Sequence, residues 1–221
     1  TSGWAMSASG LAAVWAEENT REAIIAAMKR REVYATTGPR IRLRFQGALA
    51  APVQAMPDGE SGALALASSV PMGGELTGRN GEGPVFYDPH SATLDRIQII
   101  KGWLDERGRS RERIYDVVLS DPARRRDDGS VDPVADTVDR RTGRADLAAG
   151  AAELRAHWRD PDFDPAEAAF YYVRVLQIPT ARHSYLDALA LGMEHAANQP
   201  DTIQERAYSS PIWYRPGASL P

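Results

Sequence analysis

Residues 14–45 read VWAEENTREAIIAAMKRREVYATTGPRIRLRF and predict a helix followed directly by two strands. Asn19 can cap the helix, and Glu22 stands three residues later, as in a capping box. Apolar residues recur at helical spacing and basic residues fill the last turn, where cations favour the helix dipole. These positions are Ala23, Ile24, Ala27 and Met28 for the stripe, and Lys29, Arg30 and Arg31 for the cations.

The strands come next without a linker. Val33–Thr36 reads as a short strand, and Thr37-Gly38-Pro39 has the chemistry of a turn. Beyond the turn, apolar and charged residues alternate, which predicts a strand with one buried face. The apolar positions are Ile41, Leu43 and Phe45, and the charged ones are Arg42 and Arg44.

The rest of the chain carries strand and turn signals. Residues 94–103 and 113–120 predict a hairpin around the charged turn 105–109, and residues 121–144 predict an exposed loop. Residues 170–178 have aromatic and β-branched side chains on both faces, which predicts a central strand. We expect Phe170, Tyr172, Val173 and Val175 to be buried there, and Ile99 and Trp103 to lie on a strand of the same sandwich. Residues 184–198 predict a short helix.

Composition excludes several classes of function. A net charge of −4 and a pI near 5.6 give no electrostatic reason to bind nucleic acid or an anionic membrane. The sequence has no apolar run long enough to span a membrane, and its first residues lack the pattern of a signal peptide. It has no cysteine, which excludes disulfides and thiolate zinc sites and fits either the cytosol or the periplasm.

Few residues offer catalytic or metal chemistry. The four histidines, His90, His157, His183 and His195, form none of the close pairs that metal sites use. Ser7 and Ser9 lack a nucleophile elbow, and no histidine has a suggestive neighbour, so we expect no Ser-His-Asp site. Residues 160–164 have the alternate aspartates of a calcium loop. Pro165 and Tyr171 occupy positions where that loop needs glycine and glutamate, so a turn before the central strand is favoured.

Six separated blocks carry a resemblance to a known family. The bacterial domain-of-unknown-function family 3604 (DUF3604) has similar blocks in the same order. The segment VYATTGP (33–39) also resembles the C-terminal end of PHP-type metallohydrolase barrels. Between residues 76 and 94 this chain departs from that pattern, since a long strand is shortened to GPVFYDP. The blocks are GLAAVWAEENTREAI (10–24), KRREVYATTGPRI (29–41), VPMGGEL (70–76), LDRIQIIKGW (94–103), YYVRVLQIPT (171–180) and QERAYSSPIWY (204–214).

The resemblance implies a fold and two functions. It implies a mainly β chain in which residues 1–45 end a PHP-like α/β barrel and residues 46–221 form an antiparallel β-sandwich. The first function is the C-terminal part of a metal-dependent hydrolase of esters or phosphoesters. Its divalent metal would be bound by a preceding N-terminal barrel, so that this chain holds no metal or cofactor. The second is a noncatalytic module for oligomerisation or for binding a polymer.

The same resemblance places a few residues near a catalytic mouth, because the loops after barrel strands carry the active site. These are Trp15, Glu17, Glu18 and Arg21. An ordinary role of the glutamates at a helix N-terminus is the competing interpretation. The partners expected are the N-terminal barrel and, through the apolar stripe of residues 23–28, a second copy of the chain. We expect the chain alone to bind no catalytic metal tightly and to hydrolyse neither p-nitrophenyl phosphate nor p-nitrophenyl acetate.

Overall fold

The computed structural model describes residues 10–47, 70–71, 75–76, 85–87 and 92–216, and this part of the chain is mainly β. It contains two α-helices, α1 (Arg21–Lys29) and α2 (His183–Leu191), and two 3-10 turns, Pro122–Arg124 and Leu147–Ala149. The strands are β1 (Leu11–Val14), β2 (Val33–Thr36), β3 (Arg42–Leu43), β4 (Gln46–Gly47), β5 (Val70–Pro71), β6 (Glu75–Leu76), β7 (Val85–Tyr87), β8 (Leu94–Leu104), β9 (Ser110–Leu119), β10 (Glu153–Arg155), β11 (Ala169–Gln177), β12 (Thr180–Ala181), β13 (Thr202–Ile203), β14 (Arg206–Ser209) and β15 (Ile212–Tyr214).

The main sheet is built around β11. Strand β8 pairs along one edge of β11, and β14 and β15 share its other edge. Strand β9 lies outside β8, while β2 and then β1 continue the sheet beyond β14. All of these pairings are antiparallel, and β15 pairs in parallel with β6. The predicted hairpin and the predicted central strand are therefore confirmed.

One hydrophobic core joins the main sheet to a smaller sheet of β10, β7 and β3. Leu43 and Leu154 come from the smaller sheet, and Val173 and Val175 come from β11. The alternation predicted after the turn is confirmed, because Ile41, Leu43 and Phe45 are buried while the arginines between them are exposed. Strand β7 lies within the segment GPVFYDP, whose shortening stays a prediction.

Helix α1 starts one residue later than the sequence predicts. Thr20, and not Asn19, is the cap, since its Oγ1 accepts a hydrogen bond from the backbone N–H of Ala23 at 3.3 Å. Both residue types satisfy the free N–H groups of a first turn, so the sequence does not separate them. Of the three basic residues predicted for the last turn, only Lys29 lies in the helix, because Arg30 is its C-cap and Arg31 follows with a φ of 62°.

Two aromatic residues of β11 are less buried than predicted. Val173 and Val175 are buried against the core, but Phe170 and Tyr172 lie on the opposite face and are half-buried. Successive side chains of a strand point to opposite faces, so only one set reaches the core. Ile99 and Trp103 lie on β8, the neighbour of β11, as predicted.

Strands from both predicted domains share the main sheet. Strand β2 lies within residues 1–45, and it pairs with β14, which lies within residues 46–221. Within the described residues, β1 and β2 are antiparallel, whereas neighbouring strands of a barrel of the TIM type are parallel. The boundary between residues 45 and 46 stays a prediction.

Candidate functional site

The residues predicted near a catalytic mouth lie between β1 and α1. Trp15 is half-buried, its Nε1 donates to the carbonyl oxygen of Leu43 at 2.7 Å, and the guanidinium of Arg44 lies 5.0 Å from its ring centroid. Glu17 and Glu18 are exposed on the connecting loop. Arg21, the first residue of α1, is exposed as well. Trp15 thus ties this junction to the core, while a mouth-lining role for the four residues stays a prediction.

The aspartates of the loop 160–164 are held by groups that donate to them. Asp160 pairs with Lys101 at 2.8 Å and accepts from the hydroxyl of Tyr171 at 2.7 Å. Asp162 accepts from Tyr115 at 2.8 Å and pairs with Arg113 at 2.7 Å. Burial and these carboxylates raise the pKa of both tyrosines, which stay protonated as donors.

This arrangement fits a structural turn and does not fit a calcium loop. A calcium loop directs its carboxylate oxygens at the ion, but here a lysine, an arginine and two hydroxyls already use those oxygens. Across the residues that the structure describes, no group of three or more histidine, aspartate and glutamate side chains is placed to hold a metal ion.

A second acid, Asp95, is fully buried at the start of β8. Arg96 contacts its carboxylate at 2.8 Å, Gln204 donates to it at 3.0 Å, and Arg124 forms a close ion pair with it. The negative charge of Asp95 is therefore compensated by Arg96 of β8 and by Arg124 of the loop after β9, and Gln204, before β14, adds a hydrogen bond. A buried carboxylate with this many donors is a structural anchor and offers no free oxygen to a substrate.

The described residues also contain a Ser-His-Asp arrangement, which the sequence did not predict. Ser184 Oγ lies 3.0 Å from His195 Nε2, and His195 Nδ1 lies 3.0 Å from Asp201 Oδ1. Ser184 is 1% exposed, and the side chain of His195 is 6% exposed. We call these three residues the relay.

The local fold brings the relay together from three positions. Strands β12 and β13 pair with each other, so the residues that follow β12 and precede β13 are neighbours. Ser184 is in the first turn of α2, directly after β12, and Asp201 directly precedes β13. The backbone N–H of Arg182 donates to the carbonyl oxygen of Asp201 at 2.8 Å and closes this junction.

A glycine turn brings His195 back to the start of the helix. Helix α2 ends at Gly192, whose φ of 62° is a left-handed conformation that glycine adopts without steric cost. The ring of Tyr185 then packs edge-on against His195, with centroids 5.4 Å apart. Arg140 contacts the second carboxylate oxygen of Asp201 at 3.4 Å.

The hydrogen-bond partners assign the protons of the relay. An ionised carboxylate only accepts hydrogen bonds, so His195 carries a proton on Nδ1. In the neutral ring Nε2 is then the acceptor, and it faces the hydroxyl of Ser184. This is the arrangement in which a histidine removes a proton from a serine nucleophile.

Sequence reasoning missed the relay because no short motif encodes it. Ser184, His195 and Asp201 are separated by 11 and 6 residues, and Ser184 has no glycine on either side. The serines that the sequence search considered, Ser7 and Ser9, lie outside the described residues. The usable signal was Gly192 inside the predicted helix 184–198, because a glycine there can end the helix and turn the chain back toward its start.

The fold and these clusters define a mainly β protein whose buried carboxylates, Asp95 and Asp160, are held by cations and hydrogen-bond donors. The family model described as "Protein of unknown function (DUF3604)" matches residues 1–216, and the chain belongs to this family. No curated protein and no solved structure matches the chain. No helix of the described residues has the length and apolar character to cross a membrane.

Proposed function

We propose that this chain is the C-terminal part of a PHP-like metal-dependent hydrolase that acts on ester or phosphoester substrates. In this proposal the two sheets that share a core form a β-sandwich, and the sandwich packs beside a barrel that binds the metal. In the same proposal the metal ligands come from the preceding N-terminal barrel. When bound, the divalent metal would supply an activated water.

The observation that carries the proposal is an exposed apolar face on α1. Ile25 is 41% exposed and Met28 is 51% exposed, and they lie three residues apart on one side of the helix. Of the predicted stripe, Ala27 is buried and Ala23 and Ile24 are half-buried. Strand β1, beside this helix, pairs only with β2 among the described strands.

An open sheet edge next to an apolar helix face favours a covering partner. Unpaired backbone groups on an edge strand recruit other chains unless something covers them, and exposed apolar patches mark interfaces. A preceding barrel would cover both features. The exposed Glu17 and Glu18 lie on the loop between β1 and α1, next to the edge strand, which would place them at the junction with the barrel.

The noncatalytic alternative has an observation in its favour too. Phe170, Tyr172 and Trp213 lie on the half-exposed face of the main sheet. The ring of Phe170 is nearly parallel to that of Tyr172 at 6.4 Å between centroids and tilted by 46° to that of Trp213 at 5.2 Å. Flat aromatic surfaces bind planar groups and sugar rings through their faces. A module that binds a polymer would use this face.

The first test compares the chain with the product of its complete coding sequence. We expect paired histidine motifs in that product, a bound divalent metal, and hydrolysis of p-nitrophenyl phosphate or p-nitrophenyl acetate that chelators abolish. The chain alone should hold no tightly bound metal and show no chelator-sensitive turnover. Stoichiometric zinc, manganese or iron in the chain alone, with turnover lost on chelation, would contradict the proposal.

The face of α1 gives a matched pair of variants for the same comparison. Met28→Asp should weaken the contact with the barrel, so that the metal-binding part is more easily released by limited proteolysis, and Lys29→Asp, on the next residue, is the control. In the chain alone, Met28→Asp should abolish any dimer seen by sedimentation. A complete protein without metal or turnover that binds a polysaccharide, with loss of binding in Trp213→Ala, would favour the alternative.

A further inference from the structure

We infer that Ser184, His195 and Asp201 form an acyl-transfer site that works without a metal ion. The inference is independent of the metal-dependent hydrolase proposed above, and it departs from the expectation, drawn from the sequence, that the chain alone does not hydrolyse p-nitrophenyl acetate. It rests on the two 3.0 Å contacts of the relay and on the atoms that make them. Any buried histidine needs a partner on each ring nitrogen, and here the two partners are the hydroxyl and the carboxylate that nucleophilic catalysis uses.

The chemistry follows from the proton assignment. Ser184 Oγ attacks the carbonyl carbon of an ester while its proton passes to His195 Nε2, and Asp201 stabilises the imidazolium that forms. The bond between the carbonyl carbon and the leaving oxygen breaks, and the leaving alkoxide takes the proton from Nε2. Water then attacks the acyl-serine, again with His195 as the base, and the free serine and a carboxylic acid result.

The turn that precedes His195 in the sequence favours apolar esters. Leu191 and Met193 flank Gly192 at the end of α2, and both are exposed. They lie on the turn that leads to His195, where an apolar acyl chain can cover them. We therefore assign the substrate class as carboxylic esters with an apolar acyl group.

Burial of Ser184 sets the expected rate. A buried hydroxyl reacts only when the structure around it opens locally, and attack by Ser184 requires that the turn at 191–194 opens while His195 stays bonded to Asp201. The reaction should therefore be slow compared with that of an open serine hydrolase. An apolar reagent should react faster than a polar one of equal intrinsic reactivity.

The test is covalent labelling of the chain with an alkyl fluorophosphonate in the presence of a chelator. We expect one label per chain, mapped by peptide mass spectrometry to Ser184, and slow release of p-nitrophenol from p-nitrophenyl butyrate. Ser184→Ala should remove both signals. His195→Gln should slow labelling by at least about 100-fold, because a general base typically contributes that much.

Matched controls separate the relay from unspecific reaction. His183→Gln changes the exposed histidine next to Ser184 and should leave the labelling rate unchanged. Circular dichroism and thermal melts show whether each variant is folded, and the mapped site in the unmodified chain does not depend on any variant. No label, a label on another residue, or an unchanged rate in folded His195→Gln would each overturn the inference. Because a chelator is present throughout, failure here leaves the metal-dependent proposal unaffected.

Discussion

At the scale of single residues, the decisive feature is the buried pair of Lys101 and Asp160. Lys101 is one of only two lysines in the chain, and its side chain is 3% exposed beside an Asp160 that is 6% exposed. Burial works to raise the pKa of Asp160. Hydrogen bonds from Lys101, Tyr171 and the backbone N–H of Asp162 outweigh burial and hold this pKa below its ordinary value. The carboxylate therefore stays charged and fixes the loop before β11.

Replacing Asp160 with Asn should destabilise the chain by about 3–5 kcal/mol, because it leaves a buried ammonium without its counter-charge. The control is Asp132→Asn, which removes the exposed partner of Arg126 and should cost about 0–1 kcal/mol. Urea unfolding measures both. An equal cost for the two variants would show that burial of the Lys101 pair has no energetic consequence.

The same pair predicts a pH dependence with a defined sign. A carboxyl whose pKa is lower in the folded chain adds stability above its unfolded pKa, about 4, and loses it as the pH falls through the folded value. The difference in unfolding free energy between the unmodified chain and Asp160→Asn should thus be constant near neutral pH. It should shrink below about pH 4. A difference that grows on acidification would contradict this assignment.

At the scale of elements, the periodicity of apolar residues predicted most of the strands. It did not predict which face of a strand packs on the core when both faces carry apolar residues. Alternation identified Ile41, Leu43 and Phe45 as buried, because in a strand with one solvent-exposed face the apolar residues show which face packs on the core. In β11 aromatic residues fill both faces, so the sequence did not reveal that Phe170 and Tyr172 lie away from the core. The relay was hidden for a different reason, since its three residues meet only after β12, α2 and β13 have formed.

The aromatic face of the main sheet depends on a glycine in β8. Gly102 pairs with Phe170, and a Cβ at residue 102 would lie 2.3 Å from Phe170 Cζ. Gly102→Ala should therefore push the ring aside and cost about 1–3 kcal/mol. Combining it with Phe170→Leu, which shortens the side chain, should cost less than the sum of the two single changes.

Gly108→Ala is the control for this coupling. Gly108 has a φ of 70°, and a Cβ at this residue would have no neighbouring atom within 4 Å. The loss of stability in Gly108→Ala, about 1–2 kcal/mol, therefore comes from the backbone conformation alone. Phe170→Leu should not relieve it. Thermal unfolding of the double variants measures both couplings, and equal couplings would show that the ring does not rest on Gly102.

At the scale of the whole molecule, the main sheet runs through both halves of the chain. Its strands follow the order β1, β2, β14, β11, β8 and β9, so β1, near the start of the described chain, is joined through β14 (206–209) to β9 (110–119). At the end of β2, the Thr37 N–H donates to the carbonyl oxygen of Arg206 at 3.0 Å, and the Arg206 N–H donates to the hydroxyl of Thr37 at 2.9 Å. Folding of the N-terminal segment and of the remaining chain should therefore be one cooperative event.

Cutting the chain at the predicted domain boundary tests this cooperativity. A chain of residues 46–221 loses β1 and β2, so β14 keeps only one neighbour among the described strands, and it also loses Ile41, Leu43 and Phe45 from the core. Burial of each of these side chains stabilises by about 1.5–3 kcal/mol, and their sum is comparable with the total stability of about 5–15 kcal/mol of a typical domain. We expect the shortened chain to unfold or aggregate, whereas a chain of residues 10–221 keeps every described pairing and should melt like the unmodified chain. A cooperative melt and dispersed amide resonances from residues 46–221 alone would instead establish the boundary after residue 45 as a true domain border, with β2 an addition to a sheet that is stable without it.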